Sequence, residues 1–155
     1  NNHVGYLLRT APDHDYVKIL RDAWEGSLIV KGVMCPDDAV PLEGLGVDAA
    51  WVSNHAGRQF AGSPGAIDML PAVRAATKLP LIFDSGIEGG LDILRALALG
   101  ADFVMLGRAW HYALGAIGTE GPKHMYDMLM DDLASNMIQI AATKLNELPN
   151  LLHRP

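Results

Sequence analysis

Residues 79–108 read LPLIFDSGIEGGLDILRALALGADFVMLGR. Short apolar runs at 79–86 and 101–108 stand at its two ends, and between them apolar residues recur at helical spacing until Gly100. A glycine at that point is suited to end a helix. The apolar positions of the helix are Ile93, Leu94 and Leu97. This stretch therefore predicts a strand, a helix and a second strand that lies parallel to the first.

Two further apolar runs extend the pattern toward the N-terminus, SLIVKG at 27–32 and DAAWVSN at 48–54. Each is followed by a segment with helical signals. All four runs are continuous and not alternating, which is typical of strands buried on both faces. Four strand–helix units in succession predict an α/β fold with a parallel sheet.

The helical segments are marked by capping residues and by apolar periodicity. The first is predicted at 13–24, with Val17, Leu20 and Trp24 at helical spacing and Asp13 or Asp15 as the cap, and the second runs from Pro36, with Asp37 and Asp38, to Gly44–Gly46. The third follows the polar loop 55–63, and Pro71 breaks or starts it. The last is predicted at 119–141, after a short segment near 109–116. A methionine-rich stripe on the last helix is interpreted as core and not as a cofactor contact. Its members are Met125, Leu129, Leu133, Met137 and Ile140. The tail predicts a short helical turn and an extended end.

Composition limits the class of protein. The chain has 155 residues, of which 50% are hydrophobic and 19% charged, which suits one packed domain. The formal net charge of −6, with no cluster of Lys and Arg, argues against a nucleic-acid or anionic-membrane partner. A single cysteine, Cys35, cannot form an internal disulfide, which fits a reducing, cytoplasmic compartment. No metal site is expected.

Targeting signals are not visible in the chain. No apolar run reaches the roughly 18 residues that a membrane-spanning helix needs, and no signal peptide stands at the start. The chain begins at Asn1 without a methionine, so we expect a fragment of a longer protein.

Reactive or glycine-rich residues follow each predicted strand. They are Lys31–Gly32, Ser53–Asn54–His55, Asp84–Ser85–Gly86 and Gly107–Arg108. Taken singly, a lysine here could be solvated, Asp84 could cap a turn, and His55 and Arg58 could be ordinary loop residues. Because the carboxyl ends of parallel strands lie at one edge of a sheet, we expect these side chains to converge on one site. Such a cluster of titratable groups is typical of an active site.

The residue types in this cluster suggest a chemistry. His55 with a carboxylate partner, Asp84, suits a base that is stabilised once protonated. Arg58 can grip a carboxylate with two hydrogen bonds. The segments DSGIEGG and LGR supply backbone N–H groups and one arginine, which can hold a phosphate. Together they predict an acidic substrate beside a phosphorylated cofactor.

Four motifs give the chain a family resemblance. VSNHAGRQFAG at 52–62, the preceding KG, DSGI and ALGADFVMLGR together resemble the flavin mononucleotide (FMN) dependent 2-hydroxy-acid dehydrogenases and oxidases, which include glycolate oxidases and lactate and mandelate dehydrogenases. The resemblance implies a (β/α)8 barrel of which residues 1–155 form the C-terminal half, with the four strands as strands five to eight. It implies oxidation of an L-2-hydroxy acid such as lactate or glycolate to the 2-oxo acid, with reduction of FMN.

The resemblance also implies a role for each matching residue. His55 is expected to remove a proton from the hydroxy acid, with Asp84 supporting its charged form, and Arg58 to bind the substrate carboxylate. Lys31 is expected beside the N1–C2 carbonyl edge of the flavin. The complete set of expected cofactor contacts is Lys31, Ser53, Asp84, Ser85, Gly86, Ile87, Glu88, Gly107 and Arg108.

The chain shows three departures from the family pattern. Ala56 replaces a usual glycine, and it is strained if the position needs a positive φ. Glu88 replaces a usual arginine and puts an anion near the expected phosphate site. Phe60–Ala61 replace a usual Leu–Asp pair.

Other interpretations remain open at this stage. One is another FMN barrel, of the isopentenyl-diphosphate isomerase or dihydroorotate dehydrogenase type, although these do not need His55 and Arg58 three residues apart. Another is an inactive half-barrel that only folds or self-associates through the open strand edges. For the enzyme, we expect a homo-oligomer with a small hydroxy-acid substrate, cytoplasmic or membrane-associated at full length.

Overall fold

A computed structural model describes residues 12–153 of the chain. Its four strands form one parallel sheet in the order β1-β2-β3-β4, so spatial order follows sequence order. The strands are β1 Ile29–Lys31, β2 Ala49–Val52, β3 Leu81–Phe83 and β4 Phe103–Val104. A helix connects each strand to the next, and the predicted α/β fold with a parallel sheet is therefore confirmed.

Three of the helices begin where the sequence offers a capping side chain or a proline. They are α1 His14–Ala23, α2 Pro36–Gly44, α3 Ala66–Ala76, α4 Gly90–Ala98, α5 Arg108–Ile117 and α6 Gly121–Gln139, with short 3₁₀ turns at His55–Gly57, Gly118–Glu120 and Leu145–Leu151. As predicted, the Asp13 side chain caps α1 by accepting a hydrogen bond from the Tyr16 N–H at 2.9 Å. Pro36 is the first residue of α2, where its missing N–H costs nothing. The predicted helical turn in the tail is also found; residues 154–155 lie outside the described part.

One helix was not predicted from the sequence, and one helix prediction was wrong. The segment near 109–116 is a ten-residue helix, α5. Pro71 neither starts nor breaks α3, because the helix begins at Ala66 and continues past the proline to Ala76. Burial of Leu70 and Val73, both fully enclosed, offsets the hydrogen bond that the proline cannot make, since each such side chain contributes about 1.5–3 kcal/mol.

The two faces of the sheet differ. One face, with Val52, Leu81 and Phe83, packs against α2 and α3 and forms the main core. The pairing register places a row of side chains across the other face, Lys31, Trp51, Ile82 and Phe103. Phe103 is 60% exposed and Ile29 45%. Burial on both faces was therefore the wrong prediction, while the uncovered face and exposed edges expected of half a barrel are found.

A smaller core joins α4, α6 and the tail. It contains Leu94, Leu133 and Leu148. Gly90 lies so close to α6 that an added Cβ would sit 2.1 Å from the Leu133 nitrogen. The methionine stripe of α6 is only partly core: Leu129 and Leu133 are buried and Met137 packs on this cluster, while Ile140 is 40% exposed. Among the described helices, none combines the length and the apolar character needed to cross a membrane.

Candidate active site

A cavity of about 680 Å³ opens at the carboxyl edge of the sheet. Its volume lies within the range of roughly 300–1,000 Å³ typical of small-molecule sites. The predicted site residues that line it are Lys31, His55, Arg58, Asp84, Ser85, Gly86, Ile87, Glu88, Gly107 and Arg108. Four different strand ends contribute to this set, which confirms that the scattered motifs converge.

Lys31, the last residue of β1, is held by three neighbours. Its Nζ donates to Ser53 Oγ at 2.7 Å, lies 3.3 Å from Asp84 Oδ2, and stands 4.9 Å from the centre of the Trp51 ring. Pairing with a carboxylate and an aromatic face restricts the ammonium group to one place. The Lys31 ammonium group therefore gives the cavity lining a positive charge at a fixed position.

Two serine hydroxyls connect Lys31 and Asp84 to the loop that follows β2. Ser53 Oγ accepts from the His55 N–H at 3.1 Å. Ser85 Oγ accepts from the Ala56 N–H at 3.1 Å and donates to Asp84 Oδ1 at 2.7 Å. The backbone of the His55 turn is thus tied to both neighbouring strand ends.

The turn itself has an unusual backbone. His55, Ala56 and Gly57 have φ values of 56°, 55° and 71° in succession. This left-handed region is easy for Gly57 but costs a non-glycine residue about 1–2 kcal/mol. The strain expected for Ala56 is therefore present, and strained backbone of this kind is characteristic of functional sites.

Asp84 is not the hydrogen-bonding partner of His55. Its Oδ2 faces Lys31 and its Oδ1 accepts from Ser85. Among the described residues no hydrogen bond or salt bridge joins His55 to Asp84, the carboxylate partner expected from the sequence. Both side chains line the same cavity.

Ser53 also differs from its expected place. It is only 3% exposed and does not line the cavity. Its hydroxyl acts through Lys31 and His55, so the expected direct contact with a cofactor is not supported.

Sequence reasoning missed an apolar part of the lining. Trp51, Met105, Leu106, Tyr112 and Met125 all contribute to it. Strand alternation could have indicated Trp51, two residues before Ser53. Helical spacing could have indicated Tyr112, four residues after Arg108. Nothing in the sequence marked Met125, which the stripe pattern had assigned to the core.

The amino ends of α4 and α5 provide different settings for an anion. At α4 the Gly90 N–H donates to Asp132 Oδ2 at 2.6 Å, so a carboxylate already occupies that end. At α5 no side chain caps the helix, and its first residue is Arg108. An uncapped amino end beside an arginine attracts phosphate. The negative charge of Glu88, which also lines the cavity, disfavours phosphate binding there.

The charged side chains around the cavity are mostly unpaired. Lys31, Arg58 and Arg108 face Asp84 and Glu88. Within residues 12–153, only Lys31 and Asp84 of these five form a salt bridge. The described residues contain no group of three or more His, Cys, Asp or Glu that could hold a metal ion.

A cavity at the carboxyl ends of parallel strands, lined by His55, Arg58 and Arg108, is typical of α/β-barrel enzymes. The family model of the FMN-dependent dehydrogenases matches residues 1–154. The chain belongs to this family.

Individual relatives agree with this assignment. The chain is 41% identical over 131 residues to an L-lactate dehydrogenase of Actinobacillus pleuropneumoniae, covering 83% of this chain and 34% of that protein. A soluble mutant of the membrane-associated (S)-mandelate dehydrogenase from Pseudomonas putida superposes with a TM-score of 0.87 at 35% identity, covering 92% of this chain and 41% of that one. A lactate oxidase of Pediococcus acidilactici superposes with a TM-score of 0.84 at 35% identity, covering 89% of this chain and 39% of that one.

These likenesses confirm the predicted fold class. The four strand–helix units are part of an α/β barrel, and the chain spans 34% of the length of the Actinobacillus relative. Which part of the barrel the chain supplies remains the expectation stated from the sequence.

The residues of the cavity fit FMN in three respects. Trp51, Met105 and Leu106 offer an apolar surface to a flat ring. Arg108 and the uncapped start of α5 suit the phosphate. Gly86 and Gly107 have no protein atom within 4 Å of the place where a Cβ would stand, so both leave room for a ligand. Glu88 is the one member of the lining whose charge disagrees.

Proposed function

We propose that the whole enzyme, meaning this chain together with the part of its relatives that it does not match, oxidises an L-2-hydroxy acid such as lactate or glycolate to the 2-oxo acid. FMN, when bound, supplies the acceptor for the two electrons that leave the substrate. The observation that carries the proposal is that His55 and Arg58 line the same cavity as Lys31 and Arg108.

The substrate would be held by its carboxylate. Arg58 is exposed at the cavity and has no salt bridge with another described residue. Its guanidinium group can therefore donate two parallel hydrogen bonds to a carboxylate. Because Arg58 is three residues from His55, a bound acid would carry its hydroxyl group toward the imidazole.

His55 would take the proton that the hydroxy acid loses. Its backbone is fixed through Ser53, which favours a constant position for the ring. A histidine that gains a proton becomes a cation, and the Asp84 carboxylate lines the same cavity. Lys31, fixed by Ser53 and Asp84, keeps a positive charge where the ring of the cofactor would accumulate negative charge.

The test is anaerobic mixing of the whole enzyme with L-lactate, glycolate and L-mandelate. We expect the visible absorbance of oxidised flavin to be present in the purified enzyme and to bleach with at least one acid, with release of the 2-oxo acid. A colourless protein would support the inactive half-barrel, and a yellow protein that no hydroxy acid reduces would support another FMN barrel.

We also infer a reducing, cytoplasmic location and assembly into a homo-oligomer. Cys35 is free and exposed, which suits a reducing compartment. Exposed apolar side chains on α5 and α6, among them Leu114, Ile117 and Tyr126, offer surface for another subunit. The acidic net charge of −6 argues against a nucleic-acid partner. Light scattering of the whole enzyme tests the assembly.

A further inference from the structure

We propose that Ser85 is a positioning residue for His55, which it acts on through the backbone of Ala56. The proposal rests on the proposed function, because it assigns Ser85 to the setting of the base. The sequence had suggested Ser85 only as a cofactor contact, yet its hydroxyl is already engaged by protein groups on two sides.

The direction of these hydrogen bonds is determined by their partners. A serine hydroxyl has one proton to donate and two lone pairs to accept with. Asp84 Oδ1, at 2.7 Å, can only accept from it, so the proton points there. The Ala56 N–H, at 3.1 Å, can only donate to it. Asp84 is itself held by Lys31, so the position of the Ala56 amide is set by a chain that begins on β1.

This bond is the long-range attachment of the turn. The His55 N–H bonds Ser53, two residues away, and the Gly57 and Arg58 N–H groups bond Asn54 and His55 within the turn. Among the hydrogen bonds of the described residues, only the one from Ala56 to Ser85 joins the 55–57 turn to a different strand end. Without it the turn would depend on local bonds alone.

The other end of the loop has a second attachment. Asn54 Nδ2 donates to the Pro64 carbonyl at 3.0 Å. The Asn54 Oδ1 atom is buried and has no partner. Exchanging the two amide atoms would place oxygen against the Pro64 oxygen, so this orientation is the favoured one. Asn54 thus closes the loop, and Ser85 sets where the closed loop sits against β3.

The backbone of Ser85 supports a role for the hydroxyl. Its φ of 80° lies in the left-handed region, where glycine would be free of strain and serine is not. A strained side chain persists when the surroundings hold it in place. The hydrogen bonds of the hydroxyl with Asp84 and Ala56, with a longer one of 3.5 Å to Ser53 Oγ, provide that restraint. A glycine here would relieve the strain but lose all three.

The test compares Ser85→Ala, Ser85→Gly and a matched control, Ser63→Ala, in the whole enzyme. Ser63 lies on the same loop and its hydroxyl only contacts the neighbouring Pro64 carbonyl, at 3.4 Å. Stopped-flow mixing with L-lactate separates the rate of flavin reduction from the dissociation constant of the acid. We expect both Ser85 variants to lose roughly three- to tenfold in the reduction rate, the range for the lost hydrogen bond to Ala56, and the control to keep the wild-type rate.

Amide hydrogen exchange in the same preparations provides a readout that does not need activity. We expect the Ala56 N–H to exchange faster in both Ser85 variants and not in Ser63→Ala. Ser85→Gly relieves strain, so it keeps the test possible if Ser85→Ala folds poorly. A Ser85→Gly enzyme with the wild-type reduction rate, or unchanged Ala56 exchange, would overturn the proposal. If no hydroxy acid reduces the wild type while Ala56 exchange still responds, the proposed function fails and the attachment stands.

Discussion

At the residue scale, Arg58 is the side chain whose chemistry is least replaceable. Its planar group can match both oxygens of a carboxylate, whereas a lysine offers a single point charge. Arg58→Lys in the whole enzyme should therefore raise KM and lower kcat/KM for every hydroxy acid by roughly tenfold or more, the range for a lost charged hydrogen bond. Steady-state kinetics over several acids measures this.

A control variant exchanges the same two residue types away from the cavity. Lys123→Arg changes a cation on the exposed side of α6, where Lys123 pairs with Asp127, and we expect normal kinetics. Normal kcat/KM in Arg58→Lys for all acids would remove Arg58 from substrate binding.

Ala56 carries strain that a single substitution can relieve. At φ 55° and ψ 34° a glycine recovers about 1–2 kcal/mol of strain but loses about 0.4–1 kcal/mol because the unfolded chain gains freedom. We expect Ala56→Gly to stabilise the protein by about 0–1.6 kcal/mol in urea unfolding. Ala134→Gly, on the exposed side of α6, should instead destabilise by about 1 kcal/mol. If both variants destabilise equally, the left-handed backbone at Ala56 is wrong.

At the element scale, one carboxylate joins α2 to the end of α3. Glu43 Oε1 accepts from Thr77 Oγ1 at 2.7 Å and from the Lys78 N–H at 2.5 Å. The Lys78 backbone N–H, followed by the Thr77 hydroxyl, lowers the pKa of Glu43 from its ordinary value of 4.5. A carboxylate with a lowered folded pKa contributes stability that is present above the unfolded value and lost as pH falls through the folded value.

The melting temperature should therefore decrease as pH drops below about 4.5, the ordinary value for this group. In Glu43→Gln we expect a lower melting temperature at neutral pH and a shallower decrease in acid. Part of the decrease should persist, because backbone N–H groups of Thr143 and Lys144 lower the pKa of Glu147 in the same way. Calorimetry from pH 7 to pH 3 decides, with the exposed Glu25→Gln as control; identical slopes in all three proteins would contradict the assignment.

The elements show where sequence reasoning succeeds and where it stops. The four strands and their order followed from continuous apolar runs separated by helical segments, since connectivity limits parallel sheets to few arrangements. Helix α5 was missed because its start, Gly107–Arg108, has no capping side chain. The prediction at Pro71 was wrong because the sequence shows the hydrogen bond that a proline costs a helix, but not the burial of Leu70 and Val73 that offsets it.

The candidate site was also predicted only in part. The positions of the strand ends in the sequence predicted which residues line the cavity, because the topology of a parallel sheet brings those ends together. They did not predict which of them bond: Asp84 pairs with Lys31 and Ser85, and that choice depends on side-chain distances that the sequence does not contain. Ser53, placed beneath the cavity and not on its surface, shows the same limit.

At the scale of the whole molecule, the open face of the sheet decides what the chain can bind. Trp51, Ile82 and Phe103 belong to neither described core, and Phe103 is 60% exposed, so a flavin ring would rest on one wall only. Enclosed apolar pockets bind such ligands and open ones bind them poorly. We expect the 155-residue chain alone to bind no FMN at micromolar concentration, followed by flavin fluorescence. Micromolar binding by the unmodified chain would contradict this.

The charge of Glu88 weakens FMN binding in a way that can be tested separately from the open face of the sheet. In the whole enzyme, Glu88→Arg should tighten FMN binding roughly five- to thirtyfold, since replacing an anion beside a phosphate is worth about 1–2 kcal/mol after screening. Riboflavin, which lacks the phosphate, should bind both proteins equally. An equal gain for riboflavin would show that residue 88 acts through packing and not through charge.

The most direct test of the molecule as an FMN-dependent hydroxy-acid dehydrogenase is stopped-flow reduction of the whole enzyme by L-lactate, glycolate and L-mandelate, with and without His55→Gln. We expect the wild-type flavin to be reduced and the variant to bind flavin normally while its reduction is about 10²–10⁴-fold slower, the usual contribution of a general base. Reduction of the variant at nearly the wild-type rate would remove His55 from the chemistry and with it the assignment of this cavity as the active site.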